Sequence, residues 1–130
     1  MDQKMRLVRG VSRRQGVTIG AVAMDAGDPF ILTAGVAIAA TDGSEVQGVI
    51  VDDGAIDEEN VRAEFLVEGQ VWDITVASLT SAQGTRVAAA GSGAFDEGTS
   101  TDFSIGWTIE NTLVATDTTA RVLITRGLIA

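Results

Sequence analysis

Apolar side chains recur at every second position through most of this chain. From Asp102 to Glu110, Phe103, Ile105, Trp107 and Ile109 alternate with Ser104, Gly106 and Thr108, the period of a half-buried β-strand with one face toward a core. Trp72, Ile74 and Val76 alternate in the same way with Val71, Asp73 and Thr75, and Arg121 to Arg126 is rich in β-branched residues. Further strands are predicted over Gly16 to Ala23, Pro29 to Thr33, Val36 to Ala40, Val46 to Val51, Arg62 to Val67, Arg86 to Ala89 and Leu113 to Ala115. Between them stand turn-forming clusters: Ala26-Gly27-Asp28-Pro29, Thr41-Asp42-Gly43-Ser44, Asp52-Asp53-Gly54, Glu68-Gly69-Gln70, Gln83-Gly84 and Gly91-Ser92-Gly93. Only Asp57 to Arg62 offers a helical turn, with acids suited to a helix N-terminus, and this short segment reads equally as loop. The pattern predicts an all-β fold, a compact β-barrel or β-tulip/sandwich of about eight to ten short strands, with an extended N-terminal arm.

The 130 residues, 45% of them apolar, suit one domain with one core. Charge divides the chain. The first 14 residues hold Lys4, Arg6, Arg9, Arg13 and Arg14 against the single acid Asp2, a net +4; the whole chain is −9, which leaves −13 on the remainder. The expected organisation is a basic arm over residues 1–15 and a single β domain over residues 16–130. No apolar segment follows the charged N-terminus, so a secretory signal is not expected. The longest apolar run, Phe30 to Ala40, falls short of the ~20 residues of a spanning helix. The acidic body would repel nucleic-acid phosphates, and direct nucleic-acid binding is not expected. The arm lacks aromatic side chains for base stacking. It reads either as a solvated terminus or as a segment that docks on an acidic partner through Lys4, Arg6, Arg9, Arg13 and Arg14. The Ala/Gly/Ser-rich stretch from Ala88 to Thr101 reads as a long loop, either an ordinary surface loop or one whose Phe95, Asp96 and Glu97 form an exposed partner-contact tip.

Chemistry is restricted by composition. The chain has no His, no Cys and no Tyr, so nucleophilic catalysis with a His base and Cys/His metal sites are excluded, and disulfides with them. Carboxylates are the abundant titratable groups: Asp52-Asp53 and Asp57-Glu58-Glu59, with Asp25 and Asp28 as an outlying pair. A glycosidase would need two of them ~5 to 9.5 Å apart across a cleft with aromatic platforms, and aromatics make up only 5% of the chain. The segment Asp52 to Glu59 is rich in oxygen ligands yet does not match the spacing of an EF-hand calcium loop. Gly91-Ser92-Gly93 lacks the Gly-Lys-Ser/Thr continuation of a phosphate-binding loop. No enzyme, cofactor or metal is expected, and both Trp residues read as core.

The runs Gly27-Asp28-Pro29-Phe30-Ile31-Leu32, Gly35-Val36-Ala37-Ile38-Ala39-Ala40-Thr41-Asp42-Gly43 and Glu45-Val46-Gln47-Gly48-Val49 are followed by Ser104-Ile105-Gly106-Trp107-Thr108-Ile109-Glu110 and Thr118-Thr119-Ala120-Arg121-Val122-Leu123-Ile124. Together, over residues 16 to 126, they resemble the small β-rich decoration or cement proteins of tailed bacteriophage heads. The basic arm departs from that group in length and charge. The resemblance implies a non-catalytic virion protein, commonly a homotrimer, made in the host cytoplasm. Such a protein sits on the capsid exterior, where it bridges major capsid protein subunits and stabilises the shell. Many weak contacts around symmetry axes would suffice for that task. The alternatives are a virion fibre, spike or glycan-binding β module using the polar loop Gly98 to Asp102, and a small carboxylate-dependent hydrolase.

Overall fold

The computed structural model describes residues 5–76, 84–91, 94–109 and 118–129. They form eleven strands in chain order: β1 (Met5–Arg9), β2 (Arg14–Val17), β3 (Pro29–Thr33), β4 (Val36–Ala39), β5 (Gly48–Ile50), β6 (Val61–Phe65), β7 (Val71–Val76), β8 (Arg86–Gly91), β9 (Ala94–Glu97), β10 (Phe103–Thr108) and β11 (Thr118–Leu128). All ladders are antiparallel. One sheet has the order β1-β7-β11-β10-β8-β9, the other β2-β6-β5-β3-β4. The fold is the expected all-β class in its sandwich form, and neither sheet closes as a barrel.

Local chemistry explains many of these elements. β3 and β4 are joined by Ala34 and Gly35, both at positive φ (50° and 83°), which is the two-residue turn whose twist matches that of a hairpin. Pro29 opens β3, where its missing N–H costs no interior ladder bond. Gly48 lies so close to the Glu64 carbonyl that a side chain would overlap it; the neighbouring ladder admits only hydrogen at this point.

The main core lies between the sheets. Met5, Trp72, Ile74, Val76, Val87, Ala89, Phe95, Ile105, Ala120, Val122 and Ile124 from the six-stranded sheet meet Ala40, Val46, Val49 and Leu66. A second core occupies the opposite face of the five-stranded sheet, around Val17, Ile19, Met24, Phe30, Ala37, Ile50, Val61 and Ala63. Phe30 and Phe65 meet edge to face there, with centroids 5.4 Å apart. This sheet curls strongly. The chain leaving β2 on one edge crosses to the other, where the Ala37 N–H donates to the Thr18 carbonyl (2.8 Å) and the Gly20 N–H to the Ala37 carbonyl (3.0 Å).

Several expectations change here. Residues 5–17 are not an arm ahead of the body: β1 is an edge strand of one sheet, β2 of the other, and Met5 is fully buried. The boundary drawn at residues 15/16 falls inside β2. The alternation of Met5 and Leu7 with Arg6 supplies the reason, since a strand with one apolar face gains more by pairing than by remaining in solvent. The stretch from Ala88 to Thr101 is not one long loop either, because β8 and β9 occupy most of it. Phe95 is a core residue with no exposed surface. Asp57 and Asn60 both have positive φ (62° and 57°), so the segment from Asp57 to Arg62 turns and then enters β6 without forming a helix. Trp107 faces outward, 40% exposed, because a bulge between Ser104 and Gly106 shifts the register of β10 and reverses the alternation beyond it. The strand expected over Leu113 to Ala115 lies outside the described residues.

Candidate functional site

The basic residues singled out from the sequence are distributed over both sheets. Lys4 lies outside the described residues. Arg6 on β1 stands opposite Asp73 on β7 and donates to its Oδ2 at 2.9 Å. Arg121 on β11, opposite Asp73 from the other side, donates to Oδ1 at 3.0 Å. One carboxylate thus links three strands. The Arg121 hydrogen bond is the main cause that holds the Asp73 carboxyl below its ordinary value, with burial opposing and Arg6 assisting.

Arg14 on β2 stands opposite Glu64 on β6 and reaches its Oε1 at 3.1 Å. Glu64 is only 4% exposed, and its carboxylate also accepts from the Ser12 hydroxyl (2.8 Å) and the Arg13 N–H (2.6 Å). The Arg13 guanidinium sits 5.9 Å from the centroid of Phe65. Arg9 is exposed and makes no ion pair among the described residues. Three of the four described arginines from this basic segment therefore have partners within the fold.

These groups border an open cleft of about 710 Å³ at the β1/β2 side of the sandwich, lined by Arg6, Ser12, Arg14, Asp53, Glu64 and Trp72 among others. Arg14 pairs there with Glu64 and Arg6 with Asp73, while Asp53 accepts from the Ala26 N–H. Gln70, 1% exposed at the nearby β6–β7 turn, ties this region together. Its Oε1 accepts from the Val67 N–H (2.7 Å) and the Trp72 indole N–H (2.9 Å), and its Nε2 donates to the Val11 carbonyl (2.6 Å).

Four of the carboxylates considered for catalysis or calcium, Asp28, Asp52, Asp53 and Glu58, hold turns or pair with arginine. Asp52 forms a two-point pair with Arg62 (2.6 and 3.0 Å), the chief cause of its lowered pKa. Asp53 accepts from the Ala26 N–H, Glu58 from the Ala55 N–H, and Asp28 from the Asp25 N–H. Among the described residues no three His, Cys, Asp or Glu side chains assemble into a metal-binding group. In the loop predicted as a contact tip, Asp96 and Glu97 are half-buried on β9. Burial foremost, then the charges of Asp42, Asp102 and Glu97, raise the Asp96 carboxyl above its ordinary value.

Two exposed features went unrecognised in the sequence. Arg86 stacks on Trp107 at 5.0 Å, and Arg121 joins Arg6 at Asp73. Gly106, a lone glycine inside a strand pattern, was the available signal that β10 carries a bulge and turns Trp107 outward.

No family model and no curated protein matches the chain. Among solved structures, it is similar to the N base of the head fiber gp8.5 of bacteriophage phi29, at TM-score 0.63 and 12% sequence identity, a likeness covering 91% of this chain and 99% of that one. At that identity the two proteins share a fold, which is as far as the likeness itself extends.

Proposed function

We propose that this chain is a structural protein of a tailed-bacteriophage virion, mounted on the outside of the head and held there by the major capsid protein. The carrying observation is the fold, which follows a phage head-fibre base over nearly its whole length. Composition points the same way: without His or Cys, and with its exposed carboxylates engaged in turns and ion pairs, the chain is equipped for contact and poorly equipped for catalysis. In this reading it is made in the host cytoplasm, acts without a cofactor and belongs to a group whose members are commonly homotrimers.

Two forms of the role are distinguishable. As a cement protein the chain would bridge capsid subunits and stiffen the shell; as a fibre base it would mount a projecting structure at isolated points. The similar structure is named a fiber base, yet it shares only the fold with this chain, so it supports both forms alike. Electron microscopy of the particle that carries this chain tests the proposal directly. Density for the two-sheet body on the head exterior is expected, continuous over the lattice for cement and at separated points for a fibre base. Location inside the head, location in the tail, or absence from the particle would refute it. Sedimentation of the purified chain at the mass of one copy would reject the trimer.

A further inference from the structure

The register of the six-stranded sheet brings together arginines that are far apart in the chain. Arg9 pairs with Val71, Val71 with Leu123, Leu123 with Trp107, and Trp107 with Arg86. Directly paired residues share a face of a sheet, so these five form one row across β1, β7, β11, β10 and β8. The neighbouring row is Arg6, Asp73 and Arg121. Asp73 lies two residues from Val71, and Arg121 two from Leu123, so both rows occupy the same face. That face points away from the core, because the intervening Trp72 and Val122 are buried in it.

The result is a surface of one sign on a molecule of the other. Four arginines against Asp73 and Asp96, the latter paired with Ala88 two residues from Arg86, make this face net +2, while the chain as a whole is −9. The acidic loops at residues 25–28 and 52–59 flank the second core, with Asp53 reaching the cleft that Arg6 also lines. The row spans about 19 Å, from four interstrand spacings of ~4.8 Å. At its middle are half-buried Leu123 and exposed Trp107, with Val71 beside them only 2% exposed, and an arginine stands at each end. Exposed tryptophan and arginine around an apolar centre are the residue types that dominate protein–protein binding energy. Arg86 lies over the indole, so Trp107 is held in one orientation before any partner arrives, which reduces the ordering cost of association.

We infer that the Arg9–Val71–Leu123–Trp107–Arg86 row, with Arg6 and Arg121 beside it, is the docking face of this protein, and that its occupant is an acidic, partly apolar surface of another protein. Resting on the virion reading above, that partner is the capsid subunit. Charge complementarity decides the orientation: among the described residues this face carries a net positive charge, whereas the acidic body as a whole repels a negative surface.

The experiment uses the full chain and heads from the particle that carries it, stripped of this protein. Trp72 is 1% exposed and Trp107 40%, so acrylamide quenching reads Trp107. On wild-type binding, Trp107 becomes shielded, and binding weakens between 50 and 200 mM salt, as charged contacts do on the order of a Debye length of 10 Å. The double variant Arg9→Glu/Arg86→Glu and the single variant Trp107→Ala each weaken binding at least about tenfold. Ile56→Asp, in the acidic loop at residues 52–59, leaves it within about twofold. Wild-type binding with Trp107 still quenchable, or with both row variants binding normally, overturns the docking face and leaves the virion role standing. Heads that take up no wild-type chain overturn the virion role and the capsid partner together. Shielding of Trp107 by self-association of the chain, or by duplex DNA, would replace the assigned partner and so overturn the inference.

Discussion

Replacing Gln70 by leucine removes three hydrogen bonds while nearly preserving side-chain volume, and their burial sets the size of the loss. The Trp72 indole N–H has no access to water, Trp72 being 1% exposed, so its lost bond to Gln70 Oε1 leaves a buried donor unsatisfied. Such a group costs about 1–3 kcal/mol. Val67 is half-buried, so its N–H recovers part of its hydration and adds up to about 1 kcal/mol. Val11 is largely exposed, and its carbonyl returns to water at little cost. The expected destabilisation is about 1–4 kcal/mol. For a chain of this length the entropy of unfolding is about 0.27 kcal/mol/K, which converts to a fall in Tm of about 4–15 °C. Urea unfolding followed by far-ultraviolet circular dichroism measures it, with an unchanged denaturant slope showing that only stability moved. A double-mutant cycle with Trp72→Phe isolates the indole bond: the second substitution costs less in the leucine background than in the wild type. A loss under about 1 kcal/mol, or strict additivity in the cycle, would refute Gln70 as the buried link between the β1–β2 connection and the main core.

Glu64→Ala leaves the Arg13 N–H and the Ser12 hydroxyl without their acceptor and Arg14, more than half exposed, without its partner, and should cost about 1–3 kcal/mol in urea unfolding, with Glu64→Gln milder. Gly106→Ala would drive a methyl into the Leu123 carbonyl, whose carbon lies 2.8 Å from the added atom; weakened amide-exchange protection of β10 and β11 is expected, together with a loss of at least about 2 kcal/mol. Ala34→Asn suits the left-handed φ of the β3–β4 turn and should stabilise by up to about 1 kcal/mol, seen as a higher Tm. Asp96 has a raised pKa in the folded state, so its contribution is favourable below the unfolded value of 3.8 and is lost as pH rises through the folded value. Asp96→Asn should therefore raise Tm at pH 7 and give no gain at pH 3; a gain of equal size at both would exclude the charge explanation.

Period-two alternation and turn residues were enough to place β3, β4 and β7 nearly to the residue, because both signals are local: each depends on side chains within a few positions of one another. The same locality led the reading astray at Trp107 and Phe95. For Trp107 the alternation was read straight through Gly106, and one extra residue in a bulge reverses which face follows. For Phe95 the flanking glycines and alanines have loop composition, yet β9 pairs with β8 and places the ring in the inter-sheet core. The basic N-terminal segment looked detachable because its charge differs from that of the body. Its burial depends on the edges offered by β6 and β7, more than forty positions downstream in the chain.

Composition and periodicity alone determine that this protein is all-β, that imidazole and thiol chemistry are closed to it, and that most of its acids sit in turns. Tertiary structure decided that Arg6, Arg9, Arg86 and Arg121 share one face, that Asp73 and Glu64 join strands distant in sequence, and that Gln70 holds three segments together. The reason is physical. Alternation assigns residues to one side or the other of a strand, whereas register between strands, set by pairing across long separations, selects which side chains become neighbours.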